Sequence, residues 1–223
     1  MRQRHITGRE EIIENCKSYL VAEIPAGLDP MELRSYMGRK TRELIAAAPF
    51  SEVYAELGSG KGKFLTELAL ANPDKLYIAV EGGANVWVRI VQKAQNLGLE
   101  NLFVVPTYIY TVSDFFNENS LSGIYLNFSD PWPKDRDYKR RLTYRGYLSE
   151  YQRAARGGFL EFKTDNDALF DFTLDELADC GIAVERITRD LHNSPWQGLT
   201  PATEYEAKFS GLGQTINYLR AKL

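Results

Sequence analysis

From residue 52 onward, short apolar runs alternate with segments in which apolar positions recur at helical spacing. Glycines or prolines separate most of these segments, which is typical of alternating strands and helices. The apolar runs predict five strands, at residues 53–57, 76–80, 102–105, 123–128 and 159–163. The helical spacing predicts helices at residues 63–71, 85–97, 142–155 and 167–179. This alternation predicts a mostly parallel sheet with helices on both faces.

The two ends of the chain show a less regular pattern. Residues 182–188 and 206–219 favour two further strands, arranged as an antiparallel hairpin at the sheet edge. Residues 10–20 predict one helix, and Asp29 followed by Pro30 predicts the start of a second helix that reaches about Ala48. We therefore expect a helical extension of residues 1–50 and a main domain of residues 51–223.

Composition limits the classes of protein that fit this pattern. The chain has 223 residues, 44% of them hydrophobic, which fits one globular domain with a terminal extension. It contains no run of about 18 apolar residues, and no apolar stretch follows the basic residues 1–5, so neither a membrane span nor a secretory signal is expected. Cys16 and Cys180 are far apart and lack neighbours of metal-ligand spacing. We therefore expect no metal site, no disulfide framework and a cytoplasmic location.

Polar residues follow the first two predicted strands, where ligands of a parallel sheet bind. Glu56 precedes a turn that contains Gly58, Gly60 and Gly62, and glycines let a ligand approach the backbone closely. An acid at this position suits an ammonium group such as that of S-adenosylmethionine, and Glu81 can accept hydrogen bonds from ribose hydroxyls. The spacing does not match a P-loop or a nicotinamide fingerprint. An ordinary turn and a solvated acid are the alternative interpretation.

The segment after the fourth strand, residues 127–133, reads Asn-Phe-Ser-Asp-Pro-Trp-Pro. Pro131 predicts an extended conformation for Asp130, and Trp132 offers a flat surface for a base. An acid, a proline and an aromatic residue in this place are typical of methyltransferases that act on amino groups or base nitrogens. The alternative is a rigid loop with a structural tryptophan.

A basic cluster follows at residues 134–141, although the chain as a whole is acidic. The net charge is -3, so nucleic acid can be held only by a local basic patch. The cluster comprises Lys134, Arg136, Lys139, Arg140 and Arg141. These residues can neutralise phosphates, although a solvated helix start is also compatible with such a run. After the fifth strand, Asp165 either caps the next helix or faces the substrate.

Together these segments resemble the bacterial tRNA (guanine-N7-)-methyltransferases of the TrmB family. The resemblance covers about residues 52–213, in the family's order. Its matching strings are residues 56–62, 125–134, 139–143, 162–166, 190–194 and 203–206. The glycine turn is shared by many methyltransferases, whereas the 127–133 and 203–206 strings are far more specific.

The resemblance implies a class I (Rossmann-like) methyltransferase fold with a seven-stranded, mostly parallel sheet. It implies S-adenosylmethionine as cofactor, a guanine N7 in the tRNA variable loop as methyl acceptor, and Asp130 as catalytic residue. The implied cofactor-binding residues are Glu56, Gly58, Ser59, Gly60, Gly62, Glu81, Tyr108 and Asp130. The implied substrate-binding residues are Lys134, Asp165, Thr203, Glu204, Tyr205 and Glu206, and the implied RNA-binding residues are Arg136, Lys139, Arg140 and Arg141.

Two positions depart from the family's pattern. Tyr108 stands where the family usually has Asp or Asn, and Gly82-Gly83 stand where bulkier residues are usual. The amino group of adenine then lacks its expected side-chain acceptor. Either a backbone carbonyl substitutes, or Tyr108 stacks on adenine, or Tyr108 packs on the next helix.

The chemistry leaves several readings open. N7 of neutral guanine has a free lone pair, so Asp130 or Asp165 is expected to orient the base and to stabilise developing positive charge, with no proton to remove. The alternatives are a tRNA-binding module with weak use of the cofactor and a class I methyltransferase of another substrate. The sequence does not decide between monomer and homodimer.

Overall fold

The computed structural model describes residues 6–210 and 213–223, so the basic residues 1–5 lie outside the described part. Seven strands follow one another along the chain: β1 Val53–Leu57, β2 Leu76–Val80, β3 Leu102–Val105, β4 Gly123–Asn127, β5 Phe159–Thr164, β6 Val184–Thr188 and β7 Asn217–Lys222. The described helices are α1 Arg9–Asn15, α2 Pro30–Ala47, α3 Lys63–Ala71, α4 Ala84–Leu97, α5 Arg145–Ala154, α6 Asp167–Asp179 and α7 Glu204–Ser210.

The seven strands form one sheet in the order β3-β2-β1-β4-β5-β7-β6. Neighbouring strands from β1 to β5 are parallel, whereas β7 runs antiparallel to both β5 and β6. The strand order reverses between β1 and β4, which opens a crevice at their carboxyl ends. The predicted class I methyltransferase fold is confirmed, and the ligand edge of the sheet is where β1, β2, β4 and β5 end.

Alternate residues of the strands supply two apolar cores, one on each face of the sheet. Ala55 and Leu57 of β1 pack with residues of α2, α5 and α6, whereas Tyr54 packs with residues of α3 and α4. Since all five residues of β1 are buried, the strand reads in sequence as a continuous apolar run interrupted only by Glu56.

The second N-terminal helix begins as predicted. The Asp29 carboxylate accepts hydrogen bonds from the backbone amides of Met31 at 2.7 Å and Glu32 at 2.9 Å. The Glu32 carboxylate accepts in return from the Asp29 amide at 3.0 Å, which completes a capping box. With Pro30 in the first turn, local sequence alone is enough to set the start of α2.

The predicted single helix at residues 10–20 is wrong. α1 ends at Asn15, the Cys16 thiol donates to Gln95 of α4, a 3-10 helix follows at Lys17–Tyr19, and the chain is extended from Leu20. Leu20 forms a parallel bridge with Val104, and the Val21 amide donates to the Val104 carbonyl at 3.1 Å. The N-terminal segment therefore pairs with the outer edge of β3, a contact that its own helical periodicity does not reveal.

Two larger differences from the prediction lie in the second half of the chain, and several other element ends differ by one or two residues. The stretch 206–219 is not one strand, because α7 occupies Glu204–Ser210 and β7 begins only at Asn217. α5 begins at Arg145 and not at residue 142; Arg141 instead donates to the carbonyls of Pro131 and Trp132, and the Leu142 carbonyl accepts from the Tyr151 hydroxyl. The antiparallel pairing of β6 with β7 is confirmed, with β7 inserted between β5 and β6. Among the described residues no helix is long and apolar enough to cross a membrane.

Candidate active site

The glycine turn between β1 and α3 presents open backbone at the ligand edge. Gly58 and Gly60 have φ of 79° and 55°, and no atom lies within 4 Å of the Cβ that another residue would place there. Gly62 also has a positive φ, but a Cβ there would meet the Ile90 side chain at 2.8 Å. Gly58 and Gly60 thus leave room for a ligand, whereas Gly62 permits close packing of the turn against α4. The Ser59 hydroxyl donates to the Glu56 carbonyl at 2.8 Å and fixes the turn.

Glu56 points into the crevice between β1 and β4 with one carboxylate oxygen unused. The residue is 2% exposed, and its Oε1 accepts a hydrogen bond from Asn127 Nδ2 at 2.8 Å. No hydrogen-bond partner for Oε2 exists among the described residues. Burial, aided by the carboxylates of Glu204 and Glu81, raises the pKa of Glu56 to about 8. A buried acceptor of this kind fits a cationic ligand, which would supply the missing partner.

Glu81 connects the end of β2 with the glycine turn. Its Oε2 accepts from the Gly60 amide at 3.1 Å, and its Oε1 accepts from the Gly83 amide at 2.8 Å. Burial raises the pKa of Glu81, and the charge of Asp130 acts in the same direction. The amide hydrogen bonds oppose this rise and leave further lone pairs free for hydroxyl donors.

Tyr108 lies over Gly82, so the two departures from the family's pattern are in contact. A Cβ at Gly82 would lie 2.4 Å from the Tyr108 ring, while the ring remains exposed on its other side. Tyr108 therefore packs on the backbone after β2. The arrangement keeps an aromatic surface beside Glu81, and whether it stacks on adenine stays a prediction.

The 127–133 loop after β4 is bent at two residues with positive φ. These are Phe128, with φ of 53°, and Trp132, with φ of 42°. An extended conformation is expected for a residue before proline, so Trp132 is an exception to that preference. Arg141 holds this bend, since its guanidinium donates to the carbonyls of Pro131 at 3.0 Å and Trp132 at 3.2 Å. The exposed carboxylate of Asp130 receives no hydrogen bond from the described residues.

The basic residues of the 134–141 cluster have two different environments: most are exposed, whereas Arg141 is half-buried. Lys134, Arg136 and Lys139 are exposed around a 3-10 helix at Asp135–Arg140. Arg140 stacks on the Trp132 ring at 3.5 Å from its centroid. Arg141 is half-buried on the Phe172 ring and supports the 127–133 loop, so the structure places it as a scaffold of the loop. Its predicted contact with RNA stays a prediction.

Asp165 faces the open edge after β5. The N-cap of α6 is Asn166, whose side chain accepts from the Leu169 amide at 2.8 Å, so the interpretation of Asp165 as a helix cap is wrong. Asp165 instead accepts hydrogen bonds from the Tyr205 hydroxyl at 2.7 Å and from Gln214 at 2.9 Å. The Tyr205 ring in turn lies 4.7 Å from the Phe128 ring, so the loops after β4 and β5 meet at this tyrosine.

The 203–206 string forms the start of α7, and two of its members point inward. Thr203 Oγ1 accepts from the Glu206 amide at 3.0 Å, and Glu206 Oε2 accepts from the Thr203 amide at 3.4 Å, which is a capping box. Glu206 also forms a buried ion pair with Lys163 of β5 at 3.1 Å. The Thr-x-x-Glu spacing is a sequence signal for such a helix start, although no helix is predicted at this position above.

The predicted site residues thus fall into two groups. Glu56, Glu81, Asp130, Asp165 and Tyr205 share the ligand edge of the sheet. Thr203, Glu204 and Glu206 make their contacts within the protein, and their predicted contact with substrate stays a prediction. Among the residues that the structure describes, no group of three or more His, Cys, Asp or Glu side chains could hold a metal ion.

Comparison with known proteins identifies the family. A family model described as a putative methyltransferase matches residues 51–219. A tRNA (guanine-N(7)-)-methyltransferase of Latilactobacillus sakei is 46% identical over 76% of this chain and 80% of its own length. The chain belongs to the tRNA (guanine-N(7)-)-methyltransferase family. A family member from Bacillus subtilis is 42% identical over 74% of this chain and 77% of its own length. One from Clostridioides difficile is 37% identical over all of this chain, so the similarity within the family also includes the N-terminal segment.

Solved structures agree with this family assignment at the level of the fold. A 16S rRNA (adenine(1408)-N(1))-methyltransferase from Catenulisporales acidiphilia superposes with a TM-score of 0.58 at 19% identity, over 91% of this chain and 97% of that chain. A SAM dependent methyltransferase from Aquifex aeolicus gives 0.53 at 15% identity, over 96% and 97%. Both similarities concern the class I methyltransferase fold alone.

Proposed function

We propose that this protein transfers a methyl group from S-adenosylmethionine to N7 of a guanine in the variable loop of tRNA. The observation that carries the proposal is the buried Glu56 carboxylate, whose second oxygen lacks a partner among the described residues beside an open glycine turn. Family membership supplies the reaction, and the relatives named above are tRNA (guanine-N(7)-)-methyltransferases.

The residues at the ends of β1 and β2 fit the methyl donor. S-adenosylmethionine supplies an electrophilic methyl group on sulfur when it is bound. Glu56 would pair with its ammonium group, Gly58 and Gly60 would let its chain approach the backbone, and Glu81 would accept hydrogen bonds from the ribose. Tyr108 would present its exposed ring to adenine.

The residues at the ends of β4 and β5 suit the acceptor base. N7 of neutral guanine carries a lone pair and no proton, so no general base is required. A carboxylate that accepts from guanine N1–H and the N2 amino group would orient N7 and stabilise the charge that develops on the ring. We assign this work to Asp130, because its carboxylate is exposed and accepts no hydrogen bond from the described residues, whereas Oδ2 of Asp165 already accepts from Tyr205 and Gln214.

The exposed basic residues beside the site would bind the tRNA backbone. Lys134, Arg136, Lys139 and Arg140 follow the 127–133 loop directly along the chain and are exposed, on a chain whose net charge is -3. Attraction to phosphates would therefore be local, and would bring the base to the loop that bears Asp130. A cytoplasmic location follows from this substrate and forms part of the proposal.

The proposal is tested by incubating the protein with labelled S-adenosylmethionine and unmodified tRNA, and then mapping the methylated nucleoside. We expect N7-methylguanosine at one position in the variable loop. Label on another base, or on another atom of guanine, would refute the assignment. Calorimetry with S-adenosylhomocysteine addresses the alternative of an RNA-binding module, which predicts no measurable affinity for the cofactor.

A further inference from the structure

Glu204 of the 203–206 string contacts the cofactor side of the protein. Both of its carboxylate oxygens lie 3.3 Å from the backbone nitrogen of Lys63, the first residue of α3. Oε1 also pairs with the ammonium of Lys93 on α4. The carboxylate therefore occupies the N-terminus of α3, where an unsatisfied amide and the helix dipole favour a negative charge.

Lys93 also binds the glycine turn between β1 and α3. Lys93 Nζ donates to the Lys61 carbonyl at 2.9 Å, so one ammonium joins the turn to the Glu204 carboxylate. A third contact joins the same two segments: Lys63 Nζ donates to the Ala202 carbonyl at 2.7 Å. Residues 61–63 and 202–204 are thus joined by a clasp of two lysines and one glutamate.

We propose that Glu204 is a positioning residue, which acts through Lys93 and the Lys63 amide to hold the 203–206 segment against the glycine turn. This inference rests on the proposed function, in which the turn carries the methyl donor and the segment lies beside the acceptor base. On this proposal Glu204 acts on the geometry of the site and not through a contact of its own with the RNA.

The fold explains why such a clasp is useful. The 203–206 segment is tied to β5 by the buried Lys163–Glu206 pair, whereas the glycine turn belongs to β1, two strands away. Without the clasp, donor and acceptor sites are aligned only through the sheet. A misalignment of about 1 Å lowers the rate of such a transfer strongly. Since the side chains of Lys93 and Glu204 are 36% and 37% exposed, their pair adds little to overall stability, and its removal leaves the fold intact.

A double-mutant cycle with Glu204→Gln and Lys93→Met tests the inference. We expect each single variant to lower kcat about tenfold, with KM for tRNA and the affinity for S-adenosylhomocysteine changed less than about threefold. The double variant should be no slower than the slower single variant, because both changes open one clasp. The Lys40–Glu43 pair at the surface of α2, changed to Met and Gln, serves as the matched control and should leave kcat unchanged.

Two outcomes overturn the inference. Additive losses in the double variant would show that Glu204 and Lys93 act separately. A rise in KM for tRNA at unchanged kcat would make Glu204 a substrate contact. Restoration of most of kcat by Glu204→Asp, which keeps the charge, supports a role in positioning.

The pH dependence of S-adenosylhomocysteine binding distinguishes a positioning role of Glu204 from an effect on the stability of the fold alone. The groups that face Glu56 are Asn127 from β4, Lys163 from β5, Glu81 after β2 and Glu204 itself. Because the charge of Glu204 helps to raise the pKa of Glu56, Glu204→Gln should shift the pH midpoint of S-adenosylhomocysteine binding downward, and Lys93→Met should not. Equal midpoints in all proteins would count against the arrangement.

Failure of the clasp is distinguishable from failure of the proposed function. If the wild-type protein does not methylate guanine N7, the proposed function fails while the clasp remains measurable. Hydrogen exchange of the Lys63 amide then provides the readout, and we expect faster exchange in Glu204→Gln than in the Lys40–Glu43 control. Unchanged exchange together with unchanged kcat overturns the clasp alone.

Discussion

Replacing Glu56 by glutamine is expected to stabilise the protein at neutral pH and to abolish tight binding of the cofactor. Glutamine has the shape of the neutral acid and keeps an oxygen for the hydrogen bond from Asn127. In the folded protein Glu56 binds its proton up to a pKa of about 8, whereas in the unfolded chain it ionises near 4.5. The variant therefore removes a group that the unfolded chain ionises more easily than the folded protein.

The sign and size of the effect follow from linkage. Between pH 4.5 and 8 the folded state holds more protons at this site than the unfolded state, so stability falls as pH rises through this window. Relative to low pH, Glu56 lowers the free energy of unfolding by about 3 kcal/mol at pH 7 and by about 5 kcal/mol above pH 9. Glutamine should recover these amounts.

Cofactor binding should show the opposite trend. Only the ionised carboxylate pairs with an ammonium group, so the affinity of the wild-type protein for S-adenosylhomocysteine should rise about tenfold per pH unit below the pKa of Glu56. Glu56→Gln should lose this dependence and bind about 100-fold more weakly at pH 8, since a buried cation then lacks its partner.

Urea unfolding at pH 5, 7 and 9 and calorimetry at the same pH values measure both effects. A difference in the free energy of unfolding that is the same at every pH would refute the raised pKa. An affinity of the wild-type protein that does not change with pH would refute the pairing of Glu56 with the ammonium group. Glu43→Gln on α2 is the control, because Glu43 is exposed and the Lys40 hydrogen bond lowers the pKa of its carboxyl.

Three further predictions concern the acceptor side. Asp130→Asn should lower kcat at least about 100-fold with S-adenosylhomocysteine affinity changed less than fivefold, and near-normal turnover would remove Asp130 from the mechanism. Changing Lys139 and Arg140 to Ala should weaken tRNA binding and reduce the slope of log K against log salt by about 1.5, whereas an unchanged slope would contradict contact with phosphates. Lys163→Met leaves the buried Glu206 carboxylate without its lysine, so urea unfolding should show a loss of about 3 to 5 kcal/mol, and Lys163→Met with Glu206→Gln should lose less.

The central strands were predictable because their signals are local. β1, β2 and β3 have the predicted bounds, since each is a buried apolar run that a glycine, proline or polar turn ends. Glu56 and Glu81 were also predictable, because a parallel sheet places the residues after its strands at one edge. These inferences needed no knowledge of distant contacts.

The errors arose where a distant partner decides the structure. At the end of α1 the Cys16 thiol meets Gln95, and the extended Leu20 pairs with Val104, both far away along the chain. The contact of Glu204 with Lys93, 111 positions away along the chain, was likewise not predictable from the local sequence, and the predicted contact of Glu204 with substrate stays a prediction. The start of α7 is different, since the Thr203–Glu206 capping box is a local signal that was overlooked.

The pairing of Leu20 with Val104 has a consequence for protein synthesis. The chain emerges from the ribosome with its N-terminus first. The segment that pairs with the outer edge of β3 therefore leaves the ribosome about 80 residues before β3 itself. Until then its partner does not exist, and Leu20 and Val21 remain without the strand that buries them. Once β3 has emerged, a segment that is already present can pair with its outer edge at Val104, so this part of the edge is not left open to neighbouring chains.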